Sequence, residues 1–349
     1  MDSARTVVFL LIGVIAQASC SVIDDDLSDC GSSFELNYEL RLVTNMTTEL
    51  QTELATQKDL PLAAALRDYL SRIFTDFAHD VDLSFYDTQG DSLRLHHDQH
   101  VMDANQASYT LYLPVRHYMH CAVANVVDNP LVGIANDERC HTSQLLQNEK
   151  QDTIGCHTTG LFTARLPMDV KEGVNQSFSV HLYMANCASS LVVDTTGSGI
   201  RDLRVYATGF ATSFNIADSI YHYGPSPIVR NDEIHTSDNI YQCFTTVNFP
   251  TKKRQPSPQQ QDATRIIIDK DDPSTSNGIP QWQFIAYATS NDGTLTETRL
   301  DISIPLNAGQ YKLFWARLLP NGIVQPRSQE MGASVTLNWK PGGTYEPVF

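Results

Sequence analysis

Apolar and polar residues alternate strictly near the start of the body: Phe34, Leu36, Tyr38, Leu40 and Leu42 enclose Glu35, Asn37, Glu39 and Arg41. A period of two puts one set on one face and predicts a half-buried strand over 34–43. From Asp59 the period lengthens, and Leu62, Leu66, Leu70, Ile73, Phe74 and Phe77 fall on one stripe of a helix near 60–78. Asp59 suits its N-cap, and Pro61 fits the first turn, where a missing N–H costs nothing. This is the only helix the pattern predicts.

Alternation then returns. Val81, Leu83 and Phe85 precede a turn at Asp87-Thr88-Gln89-Gly90, after which Leu93 and Leu95 resume. Strand-like runs follow at 109–113, 118–127, 161–166, 178–185 and 191–193, with Gly197-Ser198-Gly199 as a domain boundary. Further runs fall at 203–207, 241–249, 265–268, 282–289, 295–304, 311–319 and 334–339, and Asn291-Asp292-Gly293 reads as a hairpin turn. The Pro/Gln-rich stretch 250–264 reads as an exposed loop carrying Lys252-Lys253-Arg254. A strand, Leu113-Pro114 and then Tyr118 opening another strand is echoed by a strand, Ile304-Pro305 and then Tyr311. The reading is all-β: two tandem β-sandwich domains, 34–197 and 198–349, with one amphipathic helix in the first.

Ahead of the body lies a different pattern. Val7 to Ala16 is an unbroken apolar run preceded by Arg5 and followed by Gln17-Ala18-Ser19-Cys20. A bilayer-spanning helix needs roughly 20 apolar residues, so the run fits the core of an export signal, 1–19. Two processing routes follow. Cleavage before Cys20 leaves a lipidated N-terminal cysteine on an acidic tether, 20–33. Cleavage after the Ala16-Gln17-Ala18 stretch leaves Cys20 an ordinary thiol. Gln17 departs from the leucine usual three places before a bacterial lipidated cysteine.

Charge narrows the partners. Lys and Arg total 24 against 40 Asp and Glu, a net −16. Removing 1–19 takes away Asp2 and Arg5 and leaves that balance unchanged. Such a surface repels phosphate backbones, so no nucleic acid is expected as a partner. With Cys20 acylated, six of the seven cysteines remain, an even number compatible with disulfides in an exported chain.

Candidate chemistry is sparse. His117, His120 and Cys121, Cys140-His141, Cys156-His157 and His96-His97-Asp98-Gln99-His100 carry zinc-type ligands. No pair has C-x-x-C spacing, His120 and Cys121 face opposite ways on a strand, and His96, His97 and His100 read as solvated at a strand end. No metal site is expected; a Cys140–Cys156 disulfide closing a loop is favoured over a metal, though the wide cysteine spacings specify no connectivity. No G-x-S-x-G elbow, P-loop or dinucleotide fingerprint is present, and Ser198 reads as a linker serine. No catalytic residue, cofactor or small-molecule substrate is expected. Trp282, Trp315 and Trp339 fall in strands, where core packing competes with a sugar-stacking platform.

The leader with Cys20 to Cys30, the helix followed by Asp80 to Asp87, Leu111-Tyr112-Leu113-Pro114 before a long strand, and the ending Val335 to Gly343 together resemble the FimB/Mfa2 family of fimbrial subunits from Bacteroidetes. The resemblance runs along most of the body and is carried by strands and turns. It implies two transthyretin-like β-sandwiches in series on an exported outer-membrane lipoprotein that anchors a fimbria and limits its length. Its partners would be a shaft subunit, met by strand exchange, and the outer membrane, through lipid on Cys20. Strands 34–43 and 334–339 are the candidate open edges. The alternative is a surface glycan-binding lipoprotein, which needs exposed aromatic rings.

Overall fold

The computed structural model describes residues 33–44, 46–55, 60–75, 78–89, 94–101, 108–137, 142–148, 153–235, 240–251 and 282–339. They form strands joined by turns, with two helices among the described residues. The all-β reading holds, with one helix more than the pattern predicts.

The first sheet has seven strands. Strand β1 (Ser33–Val43) buries Leu36, Tyr38 and Leu40 and exposes Asn37 and Arg41, the alternation read from the sequence. It pairs in parallel with β10 (Gln176–Met184) and antiparallel with β4 (Ser108–Pro114). Beyond β10 come β9 (Phe162–Asp169), β5 (His117–Ala124), β2 (Asp80–Asp87) and β3 (Arg94–Val101). The β9–β10 link consists of two residue pairs, Tyr183 with Thr163 and Met184 with Phe162. There the sheet turns a corner. Three steps of about 4.8 Å separate β5 from β1 in a flat sheet, yet the rings of Tyr38 and His120 lie 5.4 Å apart. Strands β10, β1 and β4 therefore fold over β9, β5 and β2, and one sheet makes both layers of a sandwich.

Strand β2 is buried along its whole length because both its faces are covered. Val81, Leu83 and Phe85 join the main core, while Tyr86 packs with Cys121, Val123, Val132, Leu145 and Phe214 in a second cluster. That cluster lies under a four-stranded sheet of β6 (Val132–Asp137), β7 (Thr142–Gln147), β13 (Ser213–Asn215) and β14 (Ile220–His222). The β7–β13 pairing joins hairpins more than sixty residues apart in the chain, Gln144 lying opposite Asn215.

Two further sheets enclose the rest of the core. One has five strands, β16 (Asp232–Ile234), β17 (Tyr241–Asn248), β11 (Cys187–Asp194), β20 (Tyr311–Leu318) and β21 (Val324–Pro326). The other has six: β22 (Met331–Trp339), β19 (Leu295–Ile302), β18 (Trp282–Ser290), β12 (Ile200–Thr208), β15 (Ile228–Arg230) and β8 (Thr153–Ile154). The Gly197-Ser198-Gly199 turn carries the chain from β11 in one sheet to β12 in the other, with φ of 71° and 64° at the glycines. These are positive angles that glycine adopts without the Cβ penalty. Strand β11, just ahead of that turn, is the centre of the five-stranded sheet.

The additional helix, α1 (Met46–Ala55), buries Met46, Leu50 and Leu54, a four-residue repeat, and Thr44 Oγ1 accepts from the Met46 N–H at 3.0 Å as its cap. Helix α2 (Leu60–Ile73) buries Leu62, Leu66, Leu70 and Ile73, as the stripe predicts. Phe74 is buried just beyond it, and Asp59 and Phe77 lie outside the described residues. Fully burying a leucine is worth about 1.5–3 kcal/mol, so these stripes rather than helix propensity hold both helices down. They dock on the five-stranded sheet. Glu53 pairs with Lys312 of β20, and Tyr69 donates to Asp232 of β16.

Candidate functional site

The residues that suggested metal chemistry are dispersed. His117 is exposed, its Nδ1 2.9 Å from Asp169. His120 is buried, stacked on Phe85 with centroids 4.2 Å apart. Its Nδ1 lies 3.1 Å from the Ser84 carbonyl, which can only accept, so Nδ1 carries the proton and Nε2 accepts from the Tyr38 hydroxyl. Burial drives this imidazole down to about 3, against the opposing pull of the Ser84 carbonyl. Cys121 faces the other cluster, as alternation requires. His96, His97 and His100 lie within β3, not at a strand end as expected. Among the described residues no three His, Cys, Asp or Glu gather where they could hold a metal.

His157 is also buried, edge-on to Phe249 at 5.0 Å, and neither ring nitrogen has a hydrogen-bond partner among the described residues. Burial lowers it to about 3 as well. Cys156 is a free buried thiol that donates to the carbonyls of Thr245 at 3.4 Å and Arg230 at 3.5 Å. Cys140, His141 and Cys20 with its tether lie outside the described residues. Burial pushes the thiols of Cys121, Cys156 and Cys243 up to about 12 and that of Cys187 higher still. All four are poor nucleophiles in the folded state.

Of the three tryptophans, Trp282 is buried, its Nε1–H donating to the Ile304 carbonyl at 2.9 Å. Trp315 is half-buried, edge-on to Tyr241 at 5.4 Å. The side chain of Trp339 lies outside the described residues. Ser198 is buried in its turn, with its N–H on the Thr195 carbonyl and its Oγ accepting from the Ile200 N–H.

What remains on offer is backbone edge and sheet face. Strand β1 is not an edge: it is paired on both sides. The alternation that marked it as half-buried carries no information about how many neighbours it has. Among the described residues strand β22 does lie at an edge, joined to β19 through eight residue pairs, and Gly332 to Val335 are exposed along it. The outer face of β10, β1 and β4 is also open. It presents Ser177, Ser179, His181 and Tyr183, then Asn37 and the Glu39–Arg41 pair, then Thr110 and Tyr112. No spacing in the sequence marks these residues as a group, because three distant segments supply them.

Architecture and surface together define an all-β protein of sandwich-like sheets with free edges. No protein-family profile and no curated protein matches the chain. Solved structures do. A protein of Bacteroides ovatus described as a candidate adhesin shares 13% identity over 79% of this chain and 85% of its own, with a TM-score of 0.50, which shows a common fold. The structural neighbours also include the fimbrial anchor protein Mfa2 of Porphyromonas gingivalis, at 10% identity over 88% of this chain and 96% of its own with a TM-score of 0.46. Another, from Bacteroides thetaiotaomicron, is described as a candidate polysaccharide-binding protein, at 11% identity over 85% of this chain and 99% of its own with a TM-score of 0.46.

Proposed function

We propose that this chain is a cell-surface fimbrial subunit that anchors a fimbria and limits its length. In this reading the signal 1–19 is removed, Cys20 is acylated in the outer membrane, and residues 20–33 form the tether. The body comprises two sandwiches without catalytic function, the chain passing from one to the other between β10 and β11. The observation that carries the reading is β22, a nine-residue strand that is the outermost of the six-stranded sheet among the described residues. An unpaired row of N–H and C=O groups is what a shaft subunit's extended segment needs for strand addition. The glycan-binding alternative is weakened at Trp282, whose ring is in the core.

Charged residues on an edge blunt strand addition. Replacing exposed Ser334 and Val335 with lysine tests the contact without disturbing the core. Cells carrying S334K/V335K are expected to shed fimbriae, or to extend them beyond wild-type length, when measured by electron microscopy. Attached fimbriae of normal length would remove β22 from the mechanism. Mass spectrometry of the mature N-terminus tests the tether independently.

A further inference from the structure

The turns of the first sandwich converge on the end where the chain enters the fold. Ser33 opens β1 opposite Pro114, His117 opens β5 opposite Asp169, and the Thr88 and Val170 N–H groups donate to the carbonyls of His117 and Arg116, both at 3.0 Å. The turns at 87–89, 114–117 and 169–176 therefore form one tip around the entry point. The other end of β1 leads to α1 and the second pair of sheets.

This tip carries exposed apolar side chains among its charges. Tyr112, Val115 and Val174 are 59%, 41% and 55% exposed. The charges around them are largely paired with one another: Arg116 with Asp87 at 2.9 Å, and His117 and Lys171 with Asp169 at 2.9 and 3.3 Å. Glu172, and Glu35 at the position opposite Tyr112, add two further carboxylates. A tyrosine with aliphatic side chains at the same end suits the headgroup layer of a bilayer, where an amphipathic ring has one end apolar and the other wet.

We propose that this tip is a lipid-contacting foot: Tyr112, Val115 and Val174 rest in the headgroup region of the membrane that holds Cys20. The inference builds on the acylation reading above. Its second support is the length of chain ahead of the fold. Residues 21–32 lie between the acylated cysteine and Ser33. Twelve residues reach at most about 40 Å. The tip is thus held within reach of the surface at high effective concentration, so weak apolar contacts engage there that would fail for a free protein.

The two exposed tyrosines of the same sheet provide an internal control. Tyr112 lies opposite Glu35 and Tyr183 beside Val43, eight residues along β1 or about 26 Å; Tyr183 is 60% exposed. Full-length acylated chains carrying Tyr112→Trp or Tyr183→Trp would be reconstituted on phosphatidylethanolamine–phosphatidylglycerol vesicles containing brominated lipid. The expected result is loss of at least half of the emission added by Tyr112→Trp, with that of Tyr183→Trp unchanged. If the protein sediments with vesicles but the two report alike, quenched or not, the foot is overturned and the lipid anchor stands. If mass spectrometry finds Cys20 unmodified and the chain stays in the supernatant, the anchor falls and the foot with it.

Discussion

The Tyr38 hydroxyl donates to Nε2 of His120 across the core of the first sandwich, joining strands that are three positions apart in the same sheet. The bond is possible only because the sheet folds back at its two-pair link between β9 and β10. Its direction is set by the Ser84 carbonyl, which holds the proton on Nδ1 of a histidine that is fully buried.

Removing one partner of that bond should be costly. Tyr38→Phe leaves a buried imidazole nitrogen without its donor, a loss of about 1–3 kcal/mol. Urea unfolding should show a lower midpoint with an unchanged slope. An unaltered midpoint would mean that the bond contributes nothing net.

Acid should destabilise the fold before its carboxylates titrate. His120 and His157 have folded values near 3, below the ordinary 6.5, so the unfolded state binds more protons in that interval. The stability contributed by keeping each ring neutral is fully present above pH 6.5. It is lost at about 1.4 kcal/mol per pH unit per histidine as pH falls below 6.5 toward 3. The His157 ring has no hydrogen bond to lose among the described residues, so His157→Leu should flatten the acid slope by about half and leave or raise stability at pH 7. Stability curves at pH 7, 6, 5 and 4 measure both effects.

Apolar packing, not the ion pair, should hold helix α1 against the five-stranded sheet. Leu50→Ala should cost about 2–5 kcal/mol. Lys312→Met breaks the partly exposed pair with Glu53 and should cost no more than about 1 kcal/mol. Equal costs in chemical denaturation would show the pair to be better shielded than its exposure indicates.

The four described cysteines are free and buried, so iodoacetamide should leave Cys121, Cys156, Cys187 and Cys243 unmodified in the native protein. All four should react in denaturant without prior reduction. A Cys156 peptide that alkylates only after reduction would instead support a Cys140–Cys156 bridge.

Local pattern carried the secondary structure wherever a single dry face decides it. The alternation in β1 and the stripe of α2 are both visible as spacing, and both occur. Helix α1 was legible too, in the cap at Thr44 and the repeat Met46, Leu50, Leu54, but ten residues of mixed polarity carry a weak signal beside the longer helix. The placement of His96, His97 and His100 inside β3 was missed because polar residues on an outermost strand have no period to betray them.

The sequence alone determined the class of fold, the acidic surface and the absence of recognisable catalytic motifs, since composition, periodicity and short motifs are local properties. Tertiary structure alone decided that β1 is paired on both sides while β22, among the described residues, is paired on one, that Tyr38 meets His120, and that Tyr112, Val115 and Val174 share one tip. The physical reason is that strand neighbours and surface patches are set by contacts between segments far apart in the chain. A strand's own residues record which face is dry, never which strand lies beside it.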